Sequence, residues 1–368
     1  MIEIKSLYKK ELLEYIHSEQ FKSSEHIAIT THRALSQVQN PRLSEDDAIL
    51  FLAIENDKLL GYLGVLPDTI EFSNQEIEKV GWFSCLWVLP ETRGKGIANM
   101  LIKKALEEWD ENIFSADYAP NSKRVYDKTQ KFEFLPITKK GIRLYVKSDL
   151  QTILPPKKIF FKKIQFALKF WDALVNSAIT LFRFFIKQSS FSHSIEYVTH
   201  INNEIAEFIE LCQKNELFKR NKSELNWILS NPWILSELDK NNEGARYYFS
   251  STDKEFAFTG ICVRDSKKKI IVFLLCSKRN NTLKLPYVYE LHAMHIVVDL
   301  LSYILYAWNI KTCTTFHPQL TEALQQAKLP ILNKRKIVRN HMISKKLYAK
   351  LQNQPIMFQD GDGDCAFT

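Results

Sequence analysis

The sequence predicts an α/β (α+β) protein of two similar domains, each a central mixed, mostly antiparallel sheet flanked by helices, joined by a long amphipathic helix. Three observations carry this expectation. The chain has 368 residues, more than one ordinary domain of about 100–200 residues holds. The order of strand and helix patterns in residues 1–150 begins again near residue 191. Between the two runs, residues 157–187 keep a helical period. The expected organisation is therefore a first domain at 1–150, a cationic linker helix at 151–190, a second domain at 191–350 and an acidic Gly/Asp tail at 351–368.

The first run reads as an N-terminal strand, a helix over 12–21, a hairpin of 50–54 and 59–65, strands at 70–72 and 77–89, a helix opening near Gly96, a strand at 112–118 and a short helix at 122–130. Asn56 and Asp57 supply the hairpin turn, because both tolerate left-handed backbone. Residues 77–89 are rich in aromatic and β-branched side chains, which suit a pleated surface. After Pro90 the period lengthens, with Ile97, Leu101 and Ala105 beside Ala98, Ile102 and Leu106. The second run reads as a strand at 195–198, helices at 201–212 and 223–229, strands at 246–250, 256–264, 270–276 and 285–291, a helix at 294–308, a strand at 312–316, a helix at 319–327 and a strand at 337–343.

An apolar share of 45% and a charged share of 25% are those of an ordinary globular chain, and 12 prolines and 10 glycines exclude fibrous or low-complexity material. The six cysteines form no Cys-x-x-Cys pair and no zinc-ligand spacing, so reduced core thiols and no bound metal are expected. Met1-Ile2-Glu3-Ile4-Lys5 alternates like a strand and lacks the basic-then-apolar run of a signal peptide, which points to the cytoplasm.

The net charge of +8 is unevenly placed. Residues 157–187 hold Lys157, Lys158, Lys162, Lys163, Lys169, Arg183 and Lys187 against Asp172 alone, and residues 328–350 hold eight basic side chains and no acid. Neither stretch has the spaced aromatics of a single-strand stacking platform, so no nucleic-acid partner is expected; a phosphate-bearing ligand, a membrane surface or two solvated faces remain. Lys169, Asp172 and Arg183 interrupt the apolar run, which excludes a transmembrane span. The helix is expected either to pack between the domains or to lie at the inner face of a membrane.

The chemistry concentrates in Arg93-Gly94-Lys95-Gly96-Ile97-Ala98, between a strand and a helix. Free amides and the positive end of the helix dipole make such a place fit for a pyrophosphate. Gly94 and Gly96 give the backbone its freedom and admit phosphate oxygens, and Arg93 and Lys95 add charge. A dinucleotide loop would need a third glycine where Asn99 stands, and a P-loop would need Gly-Lys-Ser or Gly-Lys-Thr.

The segment Trp87-Val88-Leu89-Pro90-Glu91-Thr92-Arg93-Gly94-Lys95-Gly96-Ile97-Ala98 resembles strand four, the acetyl-CoA loop and the following helix of the GNAT acetyltransferases, with Arg-x-x-Gly-x-Ala intact. Leu59-Leu60-Gly61-Tyr62-Leu63-Gly64 is similar to the family's second strand, and the resemblance covers about residues 1–150. It implies acetyl-CoA as co-substrate, bound by Trp87, Val88, Leu89, Arg93, Gly94, Lys95, Gly96, Ile97, Ala98 and Asn121. It implies direct transfer to an amine, with the amide of Val88 or Leu89 as oxyanion donor and Tyr126 protonating the leaving thiolate. After Tyr126 the chain departs from the family pattern, with Thr129-Gln130-Lys131-Phe132 in place of a shorter ending. No carboxylate lies in 82–89, which leaves Asp68, Glu71, Glu76 and Glu78 as candidate bases, each of which a solvated strand residue would equally explain. Cys85 reads as an inert thiol.

The second run has only His292 and Ala293 between strand and helix, with no glycine, and is not expected to bind CoA. The resemblance implies a tandem pair in which this half shapes the acceptor site. His292 and His295 lack a third ligand and read as structural. Asp360, Asp362 and Asp364 are candidates for holding or deprotonating an acceptor amine; a solvated tail is the alternative. The expected function is acetyl-CoA-dependent N-acetyl transfer to a small primary amine, with a nucleotide- or lipid-linked amino sugar of an envelope polysaccharide as acceptor. A peptide, protein or aminoacyl N-acyltransferase is one alternative, and a non-catalytic CoA-binding or membrane-associated module another.

Overall fold

The computed structural model describes residues 1–72, 74–116, 120–135, 139–185, 191–236, 242–351 and 356–367. The chain begins with β1 (Glu3–Leu7), α1 (Lys9–His17), α2 (Glu19–Ser23) and α3 (Thr31–Val38), then β2 (Leu50–Glu55), β3 (Lys58–Glu71), β4 (Ile77–Val88), α4 (Ile97–Glu108), β5 (Ile113–Ala116), α5 (Pro120–Thr129) and β6 (Phe132–Phe134). Next come β7 (Lys139–Tyr145), α6 (Leu150–Ile153), α7 (Ile159–Lys163), α8 (Gln165–Phe185) and β8 (Ser194–Val198), followed by α9 (Asn203–Cys212), α10 (Lys222–Ser230) and α11 (Glu243–Arg246). The remainder is β9 (Phe256–Arg264), β10 (Ile270–Arg279), β11 (Thr282–Glu290), α12 (Met294–Ala307), β12 (Thr312–Thr315), α13 (Pro318–Gln326), β13 (Asn333–Arg339), β14 (His341–Ser344) and α14 (Lys345–Lys350).

Local chemistry explains most of these elements. The β2–β3 hairpin turns on Asn56 (φ +50°) and Asp57 (φ +60°), both in the left-handed region that such a turn needs. Asn221 and Glu224 form a reciprocal capping box at the start of α10. β3 is one strand of 14 residues where separate strands at 59–65 and 70–72 are expected. Pro67 does not break it, because Val65 sends its amide to Ile49 on the β2 side and Pro67, two residues on, faces the same side beyond the end of β2. Residues 246–250 form no strand; Tyr247 makes only an isolated bridge to Ile27.

The two seven-stranded sheets share one plan. The first runs β1-β2-β3-β4-β5-β14-β6 and the second, read from the matching edge, β8-β9-β10-β11-β12-β7-β13. Each contains a parallel pair, β4 with β5 and β11 with β12, among antiparallel neighbours. Helices flank both, as the sequence predicts. The sixth strand of each sheet comes from the other half of the chain: β14 pairs with β5 (Met342↔Ser115), and β7 pairs with β12 (Cys313↔Leu144). The expected single strand at 337–343 is therefore two, β13 and β14, in different sheets.

The compact units follow the sheets. One comprises Met1–Lys139, Thr199–Phe258 and Arg339–Thr368; the other comprises Lys140–Val198 and Thr259–Val338. Boundaries at 150, 190 and 350 do not fall on them, because 139–145 and 341–344 complete sheets distant in sequence. The first unit's core gathers Phe51, Leu63, Val65, Leu101, Ile102 and Met342, and the second's gathers Val272, Leu274, Val297, Leu300 and Leu301. No helix among the described residues is long and apolar enough to cross a membrane.

Candidate active site

β4 leads through a turn of 3-10 helix at Pro90–Thr92 into α4. Pro90 opens that turn, and the Thr92 hydroxyl donates back to the Leu89 carbonyl at 2.9 Å. Gly94 (φ +90°) and Gly96 (φ +82°) then take left-handed conformations. A Cβ at either would meet nothing within 4 Å, so the space beyond the loop is open. Arg93, Gly94, Lys95 and Gly96 are all exposed. The amides of Arg93 and Lys95 close turns, and the first bond of α4 is from Met100 to the Gly96 carbonyl at 3.0 Å. The amides of Gly94, Gly96, Ile97 and Ala98 therefore have no backbone acceptor among the described residues and lie at the positive end of a 12-residue helix. This donor set fits a pyrophosphate.

The end of β4 is shaped by a bulge. Tyr62 pairs with Trp87 but Gly64 with Ser84, so Cys85 and Leu86 together oppose one residue of β3, and Cys85 sits at φ +55°. Beyond the bulge, the Leu89 amide donates to the Leu60 carbonyl at 2.8 Å. Alternation along an antiparallel pair then makes Gly61↔Val88 a non-hydrogen-bonded pair, with the Val88 amide turned away from β3. On that side, among the described residues, β5 pairs with β4 over Gly81–Phe83, and the Val88 amide faces the β5 side of β4 beyond that pairing. Of the two expected oxyanion donors, Leu89 is engaged in the sheet and Val88 is left.

Trp87 does not point its ring at the loop. It is buried in an aromatic stack, with Tyr62 at 5.4 Å and His26 at 5.2 Å between ring centroids, and Tyr247 lies 6.1 Å beyond Tyr62. Behind the bulge lies a residue the sequence does not single out. Arg33, buried on α3, donates to Cys85 Sγ at 2.8 Å, to Tyr247 Oη at 2.7 Å and to Ser84 Oγ at 2.7 Å. Its guanidinium carbon stands 3.8 Å from the centre of the Trp233 ring. No spacing rule joins residue 33 to 84, 233 and 247.

Tyr126 is buried against Phe83 and Phe132, at 6.1 and 5.3 Å, with Ser115 as hydrogen-bond partner. Burial pushes its phenol up to about 12; the Ser115 bond opposes this and the Asp364 carboxylate adds to it. The group is protonated at neutral pH. The side chain of Asn121 lies outside the described residues.

The tail is packed, not solvated. Asp360 pairs with Arg339, and Asp362 accepts from Arg220 at 3.1 Å and from the Gln359 amide at 2.7 Å. Phe367 stacks on Trp233 at 4.3 Å. Gly363 takes φ +71° where a Cβ would stand 2.7 Å from the Trp82 indole. Asp364 differs from its neighbours: it is half-buried, and its charge acts on both Tyr126 and Arg33. The tail thus holds Asp360 and Asp362 in buried ion pairs with arginines, and a third carboxylate, Asp364, whose charge is felt by the Tyr126 phenol.

The expected bases are engaged elsewhere. Asp68 is buried against Arg220 (2.7 and 2.8 Å) and the Trp82 indole N–H (3.1 Å). Glu71 pairs with Lys219 at 2.6 Å, Glu78 with Lys350, and Glu76 is exposed with Asn74. In the other unit, the Ala293 amide before α12 donates to Glu290 Oε2, so a carboxylate already holds the place an anion would take. Of the basic side chains at 328–350, Arg339, Lys345, Lys346 and Lys350 pair with acids, and Lys334 binds carbonyls at the end of α13.

The profile of the acetyltransferase (GNAT) family matches residues 6–132. An uncharacterised N-acetyltransferase of Archaeoglobus fulgidus is 34% identical over 108 residues, which cover 29% of this chain and 72% of that protein. Two solved structures resemble nearly the whole chain. A probable N-acyltransferase of Enterococcus faecalis has a TM-score of 0.54 at 11% identity, covering 95% of this chain and 74% of its own. A GCN5-related N-acetyltransferase of Anabaena variabilis has a TM-score of 0.52 at 15% identity, covering 93% and 72%. The sequence match takes in the cradle at 93–98 and the structural match extends the fold over both sheets: the chain belongs to the GNAT family of N-acetyltransferases.

Proposed function

We propose that this protein transfers an acetyl group from acetyl-CoA to a small primary amine in the cytoplasm, and that the unit holding residues 93–98 does the chemistry. The observation that supports it best is one element carrying both parts: β4 ends in an amide turned away from β3 and runs directly into an open cradle whose Gly94, Gly96, Ile97 and Ala98 amides make no backbone hydrogen bond among the described residues. The Arg93 and Lys95 side chains and the amides of Gly94, Gly96, Ile97 and Ala98 bind the pyrophosphate, and acetyl-CoA supplies the activated acyl group. The Val88 amide donates to the carbonyl oxygen as negative charge develops there. Asp364 attracts the acceptor ammonium and takes its proton, freeing the amine to attack. As the new N–C bond forms and the C–S bond breaks, Tyr126 gives its phenolic proton to the sulfur; the nitrogen releases its second proton to solvent, and a proton taken up from solvent restores the phenol.

The acceptor class we assign is an amino sugar on a nucleotide or lipid carrier. A half-buried carboxylate whose charge is felt at the Tyr126 phenol suits an ammonium; few of the cations at 328–350 are left to hold a carrier phosphate. Incubation with acetyl-CoA and a panel of amino-sugar nucleotides, peptides and aminoacyl acceptors, with thiol release as the readout, tests both levels. Release only with peptides would replace the acceptor class. Tight acetyl-CoA binding without release to any amine would favour a non-catalytic module.

A further inference from the structure

Polar side chains recur every three or four residues along 157–187, and an ordinary surface helix turns such a stripe to water. α8 does the reverse. Asp172, 2% exposed, accepts from Ser148 Oγ at 2.6 Å and from the Leu150 and Gln151 amides at 2.9 Å. Asn176 accepts from the Ser148 amide at 2.8 Å and donates to its carbonyl at 3.0 Å. These two residues of the stripe hold α8 against the start of α6, with Leu168 buried on the same side, while Gln165, Lys169 and Thr180 stay exposed.

The opposite face is apolar and bare. At about 100° per residue, Phe170, Leu174 and Leu181 lie across the helix from Asp172. Phe166 is 85% exposed and Phe170 64%, and Trp171, Leu174, Leu181 and Phe182 are exposed with them. α7 continues the surface with Ile159 and Phe160, also exposed. Contiguous apolar area of this kind marks an interaction surface. Charge indicates the partner. Lys157, Lys158, Lys162, Lys163 and Lys169 are all exposed around it, while Asp172, the sole acid of 157–187, is turned inward.

We propose that α7 and α8 lie in the plane of an anionic lipid surface, with the phenylalanines and leucines below the headgroups, Trp171 at the boundary and the lysines on lipid phosphates. The helices rest on the membrane without crossing it, in keeping with the charges that interrupt them. The inference does not depend on the acyl-transfer chemistry.

Flotation of the full chain with vesicles of phosphatidylcholine, alone or mixed with phosphatidylglycerol, tests it. The protein is expected to float with the mixed vesicles, to lose most of that binding at high salt, and to remain at the bottom with phosphatidylcholine alone. Phe166→Ser/Phe170→Ser/Leu174→Ser is expected to stay at the bottom with either, with an unchanged melting temperature because all three side chains are exposed. Lys157→Gln/Lys158→Gln/Lys162→Gln/Lys163→Gln is expected to weaken flotation at low salt. A wild-type chain that stays at the bottom with anionic vesicles at low salt overturns the proposal. So does a wild-type dimer that the triple serine variant converts to monomer while neither floats, since the face would then be a self-association surface.

Discussion

The Leu89 amide donates to the Leu60 carbonyl at 2.8 Å, and that bond sets the direction of the amide before it. With Leu89 facing β3, Val88 must face the β5 side of β4. Replacing the residue-88 amide by an ester removes only the N–H and is expected to lower kcat about 100-fold with little change in the KM for acetyl-CoA. The same replacement at residue 89 should cost about 1 kcal/mol of stability and leave turnover largely intact. Equal turnover for both esters would remove Val88 from the mechanism.

Gly96 separates conformation from access. Its φ of +82° is left-handed while the space beyond it is open. Gly96→Ala should therefore cost about 1–2 kcal/mol in a melting experiment. Gly96→Trp should cost the fold a similar amount and in addition fill the cradle, weakening acetyl-CoA in a calorimetric titration at least about 100-fold, or about 2.7 kcal/mol. Unweakened binding by the tryptophan variant would place the pyrophosphate elsewhere.

Tyr126→Phe keeps the ring between Phe83 and Phe132 and loses only the hydroxyl. It is expected to melt within about 1 kcal/mol of the wild type and to turn over about 100-fold more slowly at unchanged KM. Full activity would make Tyr126 a core residue and nothing more.

The tail carboxylates are expected to divide. Asp362→Asn weakens a buried pair with Arg220, although Asp68 still holds that guanidinium, and should destabilise by about 1–3 kcal/mol. Asp364→Asn should lose at least about tenfold in kcat at neutral pH, beyond whatever it costs the fold. Steady-state rates beside thermal melts distinguish them, and an active Asp364→Asn would return the search for the base to solvent.

Burial pushes the phenols of Tyr15 and Tyr126 from 10.0 up to about 12. A raised folded-state pKa means that the folded chain holds the proton more tightly, so this stability is complete below pH 10 and lost as pH climbs toward about 12. Two units correspond to about 2–3 kcal/mol per phenol. Melting temperature should fall steeply above pH 10, and less steeply in Tyr126→Phe. A pH-independent melt from 9 to 11 would contradict this.

What the sequence determined by itself is local. Asn56 and Asp57 encode the hairpin turn, the change from strand to helical period after Pro90 encodes the end of β4 and the start of α4, and Arg93 to Ala98 encode the cradle, since each depends on a few adjacent residues. The repeated order of elements was equally legible, and so the paired sheets were. What only the tertiary structure decided is which distant segments meet. The strand read at 337–343 carried no information about its partner and none was read at 139–145, and the structure seats 341–344 and 139–145 each as the sixth strand of the sheet begun by the other half. Arg33, Ser84, Trp233 and Tyr247 converge without any spacing to announce them. The division of the tail into Asp360 and Asp362 on arginines and Asp364 acting on Tyr126 rests on groups more than a hundred residues away in two of the three cases. The stripe of α8 was visible, but its direction was not: helical periodicity fixes which side chains share a face, and only the hydrogen bonds of Asp172 and Asn176 decide which face meets the protein.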